Sequence, residues 1–210
     1  CWLEIAAFGP PGALEGCGHL GSWESGQVRV QPDGSAIIYT GASPHGLGTV
    51  TTLAQIAGAE LGMECEKISV GPGDSATVVQ GIGTMGSRAT AVAGESVKQA
   101  AAAVTEKAKV IAAHLLEANP GDLEVDADHF SVTGTPTKSV SWSEVATKSF
   151  QNLELPEGVA PGSLEATVHN APPNFSFPAG AYGCVVQIDR VTAEIRVREM
   201  YLVDDCGTVI

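Results

Sequence analysis

Residues 71–88 read G-P-G-D-S-A-T-V-V-Q-G-I-G-T-M-G-S-R, with glycines at 71, 73, 81, 83 and 86, and run into a long alanine-rich stretch ending L-L-E-A-N-P. Glycine permits positive φ and lets the backbone approach a ligand closely. A glycine loop that opens onto a helix also gathers unpaired N–H groups at the positive end of the helix dipole, where a phosphate is stabilised. Arg88 falls in the first turn and opposes that dipole, a placement that a nearby anion would rationalise. An ordinary tight loop fits the same residues, and both readings stand at this point. A second loop, G-A-S-P-H-G-L-G at 41–48, also feeds a helical pattern. If the two loops converge, they make a larger anion pocket than either alone.

Other chemistry is hard to find. There is no H-E-x-x-H, no G-x-S-x-G, no G-x-G-x-x-G after a strand, and no complete Walker A, because residues 81–87 lack its lysine. His19, His45, His114, His129 and His169 are dispersed and form no spaced ligand set. His45 has no acid or hydroxyl partner close in sequence to make it a base. Asp126 and Asp128 read as a solvated turn. Asp204 and Asp205 are adjacent at a strand end, which sends them to opposite faces. Cys1, Cys17, Cys65, Cys184 and Cys206 include no C-x-x-C, so they read as reduced thiols in a cytoplasmic protein, with a pair left open. A reaction here would have to be carried by a bound cofactor, with the chain supplying position and electrostatics.

The elements that must position these loops follow from periodicity. Val97, Ala101, Val104, Ala108, Ile111 and Leu115 recur at spacings of four and three, one buried stripe of a long helix. Ser87 is its expected N-cap, and Asn119 before Pro120 its stop. A medium helix follows the 41–48 loop, with Leu53, Ile56, Ala57 and Leu61 on one face, Thr49 or Thr51 as cap, and Gly62 as terminator. Residues 27–40 form a hairpin about Pro32-Asp33-Gly34, and Ile37 and Tyr39 on the second face imply that this face is covered too. Residues 36–70 then read as strand, helix, strand. Further strands are expected at 123–125, 129–132, 136–140 and 164–169, with a terminal hairpin at 183–189 and 194–203. Ser141 and Glu144 form a capping box, with Val140 and Val145 as its hydrophobic staple, before a short helix at 142–149. Residues 2–7 read as a short strand, and Trp23 as a core plug. Residues 151–181 suit a plain connector, or else a lid or intersubunit arm.

The fold expected is α+β, with mixed sheets, one long helix and one medium helix. It is taken as one region over 1–210, with a subdivision into a loop–helix part at 1–120 and a small sheet with hairpin at 121–210. The 210 residues suffice for a proper core, and 44% are hydrophobic. Asp and Glu total 24 against 11 Lys and Arg, a net charge of -13, which disfavours nucleic acid and anionic membranes as partners. No apolar stretch approaches the ~20 residues of a membrane span. The chain opens on Cys1 and closes on T-V-I, as an internal piece of something longer would.

Several segments together resemble one family. They are S-P-H-G-L-G-T-V-T-T-L-A-Q-I-A (43–57), E-K-I-S-V-G-P-G-D-S (66–75), G-I-G-T-M-G-S-R (81–88), A-A-H-L-L-E-A-N-P-G-D-L-E (112–124), S-W-S-E-V-A (141–146) and Y-L-V-D-D-C-G-T-V-I (201–210). In unbroken order they resemble the molybdenum-binding large subunit of the xanthine dehydrogenase family. That family includes aldehyde oxidoreductases and aerobic carbon monoxide dehydrogenases, and the S-P-H-G and G-S-R phrasing leans toward the last of these.

The resemblance implies a molybdopterin cofactor, in its cytosine dinucleotide form. It implies oxidation of carbon monoxide, an aldehyde or an N-heterocycle, with water as the oxygen source. Iron–sulfur and FAD groups would sit on partner subunits or domains, and the large subunit would dimerise. It places Gly46, Leu47 and Gly48 against the pterin, and Thr84, Met85, Gly86 and Ser87 against the pyranopterin or the dinucleotide phosphates. Arg88 joins them from the anion argument. Two residues depart from the family pattern: Leu47 stands where glutamine is usual, and Met85 where the carbon monoxide dehydrogenases carry tyrosine. The family's catalytic glutamate and its other molybdenum loop fall outside this stretch, so the chain by itself is expected to be catalytically silent. Two alternatives are a cofactor-free binding or assembly domain that keeps the fold, and a generic nucleotide binder using residues 81–88.

Overall fold

The computed structural model of the chain describes residues 23–71, 73–78, 81–173, 179–205, 207 and 209–210. The strand expected at 2–7 lies outside them, as do Cys1, Cys17 and Cys206.

Strands β1 (Glu24–Val30) and β2 (Ala36–Thr40) form the expected antiparallel hairpin, with Val28 opposite Ile38 and Val30 opposite Ala36. The turn is set by Asp33, whose Oδ1 accepts from the Ser35 N–H and hydroxyl at 2.9 and 2.7 Å, and by Gly34 at φ 88°. Helix α1 (Thr49–Leu61) then crosses over to β3 (Ile68–Val70), which pairs parallel with β2. Strand β7 (Glu165–Asn170) lies antiparallel along the other side of β1, completing a mixed sheet of order β3-β2-β1-β7. The second face of β2 is only half covered. Ile37 and Tyr39 are partly buried, and the Arg29 guanidinium lies 5.7 Å from the Tyr39 ring centroid.

The long helix α2 (Glu95–Leu115) packs on β1 and β7 and against α1. Its stripe is the one read from spacing: Val97, Ala101, Val104, Ala108 and Ile111 are all fully buried, and Leu115 is partly so. Fully burying an aliphatic side chain stabilises by roughly 1.5–3 kcal/mol, so this stripe, more than helix propensity, fixes α2 to the sheet. The helix comes unusually close because β1 offers Gly26 to it. A Cβ at that position would stand 2.6 Å from the Val97 backbone nitrogen.

The start of this helix differs from expectation. Ser87 has φ 55° and is not its cap; the chain enters through a π turn over Ala89–Gly94, and no side chain caps either the π turn or α2. An N-cap needs extended backbone, which the left-handed pair Gly86 and Ser87 denies. The α1 cap is corrected likewise: Gly48 at φ 77° occupies the N-cap position, with no side-chain hydrogen bond. At the far end of α2 the helix stops at Leu115, and Asn119 instead caps a short 3-10 turn by accepting from the Gly121 N–H at 3.0 Å.

Strands β4 (Leu123–Asp126), β5 (His129–Val132) and β6 (Thr135–Ser141) form an antiparallel sheet that leads into α3 (Trp142–Gln151). The capping box is present in full. Glu144 Oε2 accepts from the Ser141 N–H at 2.8 Å, and Ser141 Oγ accepts from the Glu144 N–H at 3.2 Å. Trp142 donates Nε1–H to the Leu61 carbonyl at 2.7 Å and packs edge-on to Phe130 at 4.7 Å, joining the small sheet to α1. One continuous buried cluster accordingly runs from Val28 to Leu164.

The turn at 126–128 is solvated at Asp126, as expected, but not at Asp128. Asp128 is buried at φ 64° and holds Lys67 Nζ at 2.6 Å, because the turn folds back over the end of α1, where the Asp128 N–H donates to Gly62 O. Trp23 is only half buried and packs at a tilt against His169, with ring centroids 5.5 Å apart, instead of plugging the core. Strands β8 (Ala179–Ile188) and β9 (Ile195–Asp205) form the terminal hairpin, with side chains exposed along both strands.

Candidate functional site

Three glycine-bearing passes of the chain meet at the open end of β1 and β2. Residues 41–48 leave β2, residues 71–78 leave β3, and residues 81–88 approach α2. The first and third touch directly. A Cβ on Gly41 would stand 2.5 Å from the Gly81 Cα, and the Thr84 hydroxyl donates to the Ser43 carbonyl at 2.7 Å. The second pass joins them where Gly73 lies against the Ser43 side chain. The convergence asked of the two loops is therefore met by the chain, with a third loop beside them.

The tips of the loops face outward. Gly46, Leu47, Gly48, Met85, Gly86 and Ser87 are exposed, with Leu47 56% and Met85 37% accessible, and Thr84 is partly buried by its bond to Ser43. At Gly46, Gly48, Gly83 and Gly86 φ is positive, and nothing lies within 4 Å of where a Cβ would be. These glycines serve an unusual backbone path and open space, not close packing of protein on protein.

The beginning of α1 lies in the same place. It carries no side-chain cap and no acid in its first turn, and the Thr49 hydroxyl is buried without a hydrogen-bond partner. Unpaired N–H groups, a positive dipole end, an orphaned hydroxyl and open glycines together suit a phosphate-bearing group.

Arg88 occupies a different position from its neighbours. Its guanidinium is buried and bonds Glu24 Oε2 at 2.9 Å, Gly83 O at 2.8 Å and Trp23 O at 2.6 Å. The cation that seemed misplaced in a first helical turn is answered by a fully buried carboxylate 64 residues earlier. Glu24 is the residue that the loop motifs overlook. Alternation would have found it: carrying the inward parity of Val28 and Val30 back through Gly26 puts Glu24 on the buried face, where a charge requires a partner.

Among the other candidates, His45 lies on one of these loops, and Asp126, Asp128, Asp204 and Asp205 lie off them. His45 is exposed in the first loop, and the Tyr182 hydroxyl donates to Asp204 Oδ1 at 2.5 Å within the terminal hairpin. Among the described residues no group of three His, Cys, Asp or Glu is arranged to hold a metal ion. Cys65 and Cys184 are free and exposed. No described helix is long and apolar enough to cross a membrane. A cavity of about 640 Å³ between α1 and the π turn is lined by Ile56, Glu60, Thr90, Lys98 and Val209 among others, and by none of the loop-tip residues.

Comparison with known proteins gives a consistent picture. The family described as molybdopterin cofactor-binding domain matches residues 4–210. The carbon monoxide dehydrogenase large chain of Hydrogenophaga pseudoflava is 43% identical over 209 residues, which cover 100% of this chain and 26% of that one. The nicotine 6-hydroxylase large subunit of Paenarthrobacter nicotinovorans is 36% identical, over 89% of this chain and 23% of its own. The solved structure of reconstituted CO dehydrogenase from Oligotropha carboxidovorans aligns at a TM-score of 0.86 and 40% identity, covering 99% of this chain and 25% of that one. The chain thus spans about a quarter of the length of these relatives.

Proposed function

Because this chain belongs to the molybdopterin cofactor-binding domain family, we propose that its converging glycine loops form part of the seat for a molybdopterin dinucleotide in a larger oxidoreductase. Gly46, Leu47 and Gly48 lie against the pterin in this reading. Thr84, Met85, Gly86 and Ser87 meet the pyranopterin or its phosphates through open backbone, and Arg88 supports them from beneath through the Gly83 carbonyl. When bound, the molybdenum centre supplies the oxidation of carbon monoxide, an aldehyde or an N-heterocycle, with oxygen from water. In this reading partner subunits or domains would hold the iron–sulfur and flavin groups that accept the electrons.

This chain's own contribution is binding and orientation. Backbone donors at the uncapped start of α1 offset phosphate charge without a mobile side chain, which suits a protein of net charge -13 that repels free anions. Leu47 and Met85 add apolar surface at the rim, where an amide and a phenol would have offered hydrogen bonds.

The observation that carries the reading is the meeting of residues 41–48 and 81–88, open at four positive-φ glycines, on a chain of this family. Metal and nucleotide analysis of the full-length native protein tests it, with one molybdenum and one pterin dinucleotide per chain expected. Absence of both would favour the cofactor-free binding or assembly domain, to which the apolar exposed Leu47 is the observation that points. Dye reduction with carbon monoxide, an aldehyde and an N-heterocycle in parallel would then assign the substrate class.

A further inference from the structure

We infer that Glu24 is a positioning residue for the cofactor seat: its buried carboxylate, balanced by Arg88, latches the base of residues 81–88 to the sheet and so fixes the arch of Thr84 to Ser87. The inference rests on the reading above and goes beyond it, since Glu24 stands at the start of β1, outside every glycine loop.

An ionised carboxylate with no accessible surface needs full compensation to remain folded there. Glu24 obtains it from donors that belong almost entirely to the loop. Oε2 accepts from Arg88 Nη1 at 2.9 Å, from the Ile82 N–H at 3.0 Å and from the Gly83 N–H at 3.2 Å, while Oε1 accepts from the Ser25 N–H at 3.1 Å. Two glycines make room for it: a Cβ on Gly41 or Gly81 would lie 2.8 or 2.5 Å from Oε1.

Arg88 closes the loop on itself by donating to Gly83 O at 2.8 Å, and anchors it to β1 through Trp23 O at 2.6 Å. Both ends of the arch, at Gly83 and at Arg88, are therefore held by one carboxylate. Between those ends stand Met85, Gly86 and Ser87, exposed and with left-handed backbone at Gly86 and Ser87. Within the arch the Thr84 hydroxyl bonds the Ser43 carbonyl, and the Met85 carbonyl accepts from the Arg88 N–H at 3.2 Å, both neutral bonds. Charge-assisted bonds are about twice as strong as neutral ones, so the latch dominates the position of the arch and, through Gly41, its spacing from the loop at 41–48.

The test uses the full-length native protein and its Glu24→Gln and Glu24→Gln/Arg88→Gln variants. The double variant leaves no unpaired buried charge, so it is the one expected to stay folded. Hydrogen exchange at Ile82 and Gly83 is compared with exchange inside α2, and loss of the pterin dinucleotide on dilution is followed alongside. In the double variant the two loop amides should exchange about ten-fold faster, and the dinucleotide should leave faster by a similar factor, while α2 amides exchange as in the wild type. Unchanged loop exchange overturns the inference, and so does equal acceleration in the loop and α2, which would mark a general loss of stability. If the wild-type protein carries no dinucleotide, the functional reading falls, and the contrast between loop and α2 exchange alone decides whether the latch exists.

Discussion

At the scale of the residue, the site rests on what glycine omits. Gly46, Gly48, Gly83 and Gly86 place backbone where no side chain intrudes, and the sequence displays them openly. Leu47, more than half exposed between two of them, is the position where a small change has a readable effect. Leu47→Gln should slow dissociation of the pterin dinucleotide from the full-length protein by several-fold, since one added neutral hydrogen bond contributes about 0.5–1.5 kcal/mol. The measurement is the rate at which dinucleotide appears in the filtrate after dilution, with the variant slower than the wild type. The loop tips were legible because glycine and helix periodicity are local signals. Glu24 was not, because its meaning depends on Arg88 64 residues away and on the buried side of β1.

At the scale of the element, local chemistry predicts structure best where nothing distant competes. The α3 capping box was readable from four consecutive residues and forms as read, whereas Ser87 had the right residue type for a cap but sits in left-handed backbone imposed by the latched loop. Hydrogen bonds from the Ser141 N–H and hydroxyl hold the Glu144 carboxyl below its usual value. A lowered folded-state value means that this stabilisation is full above the unfolded glutamate value of about 4.3 and is lost as pH falls through the folded one. Glu144→Gln keeps an acceptor for the Ser141 N–H but loses the charge at the helix start, so it should be less stable than the wild type at neutral pH by roughly 0.3–1 kcal/mol, and the difference should shrink steadily below about pH 4. Urea denaturation of both proteins between pH 7 and pH 3 checks the sign. A difference that grows on acidification would contradict it.

At the scale of the whole molecule, the small sheet meets the end of α1 at the Trp142 ring, beside the Asp128 contacts to Gly62 and Lys67. Trp142 sits between Phe130 and the end of α1, and its Nε1–H satisfies the Leu61 carbonyl where the helix leaves it free. Trp142→Phe keeps most of the buried area but strands that carbonyl, which costs about 1–3 kcal/mol. The midpoint of thermal unfolding should fall, while dinucleotide content at room temperature should stay as in the wild type, because neither loop is touched. The terminal hairpin presents the opposite case. Val197, Met200, Leu202 and Val203 are all more than half exposed, so water wets a ribbon whose composition suits an interior. In residues 1–210 taken alone, such a ribbon would behave as an adhesive strip. How concentrated these residues alone can be made before the solution clouds would then be decided at β8 and β9.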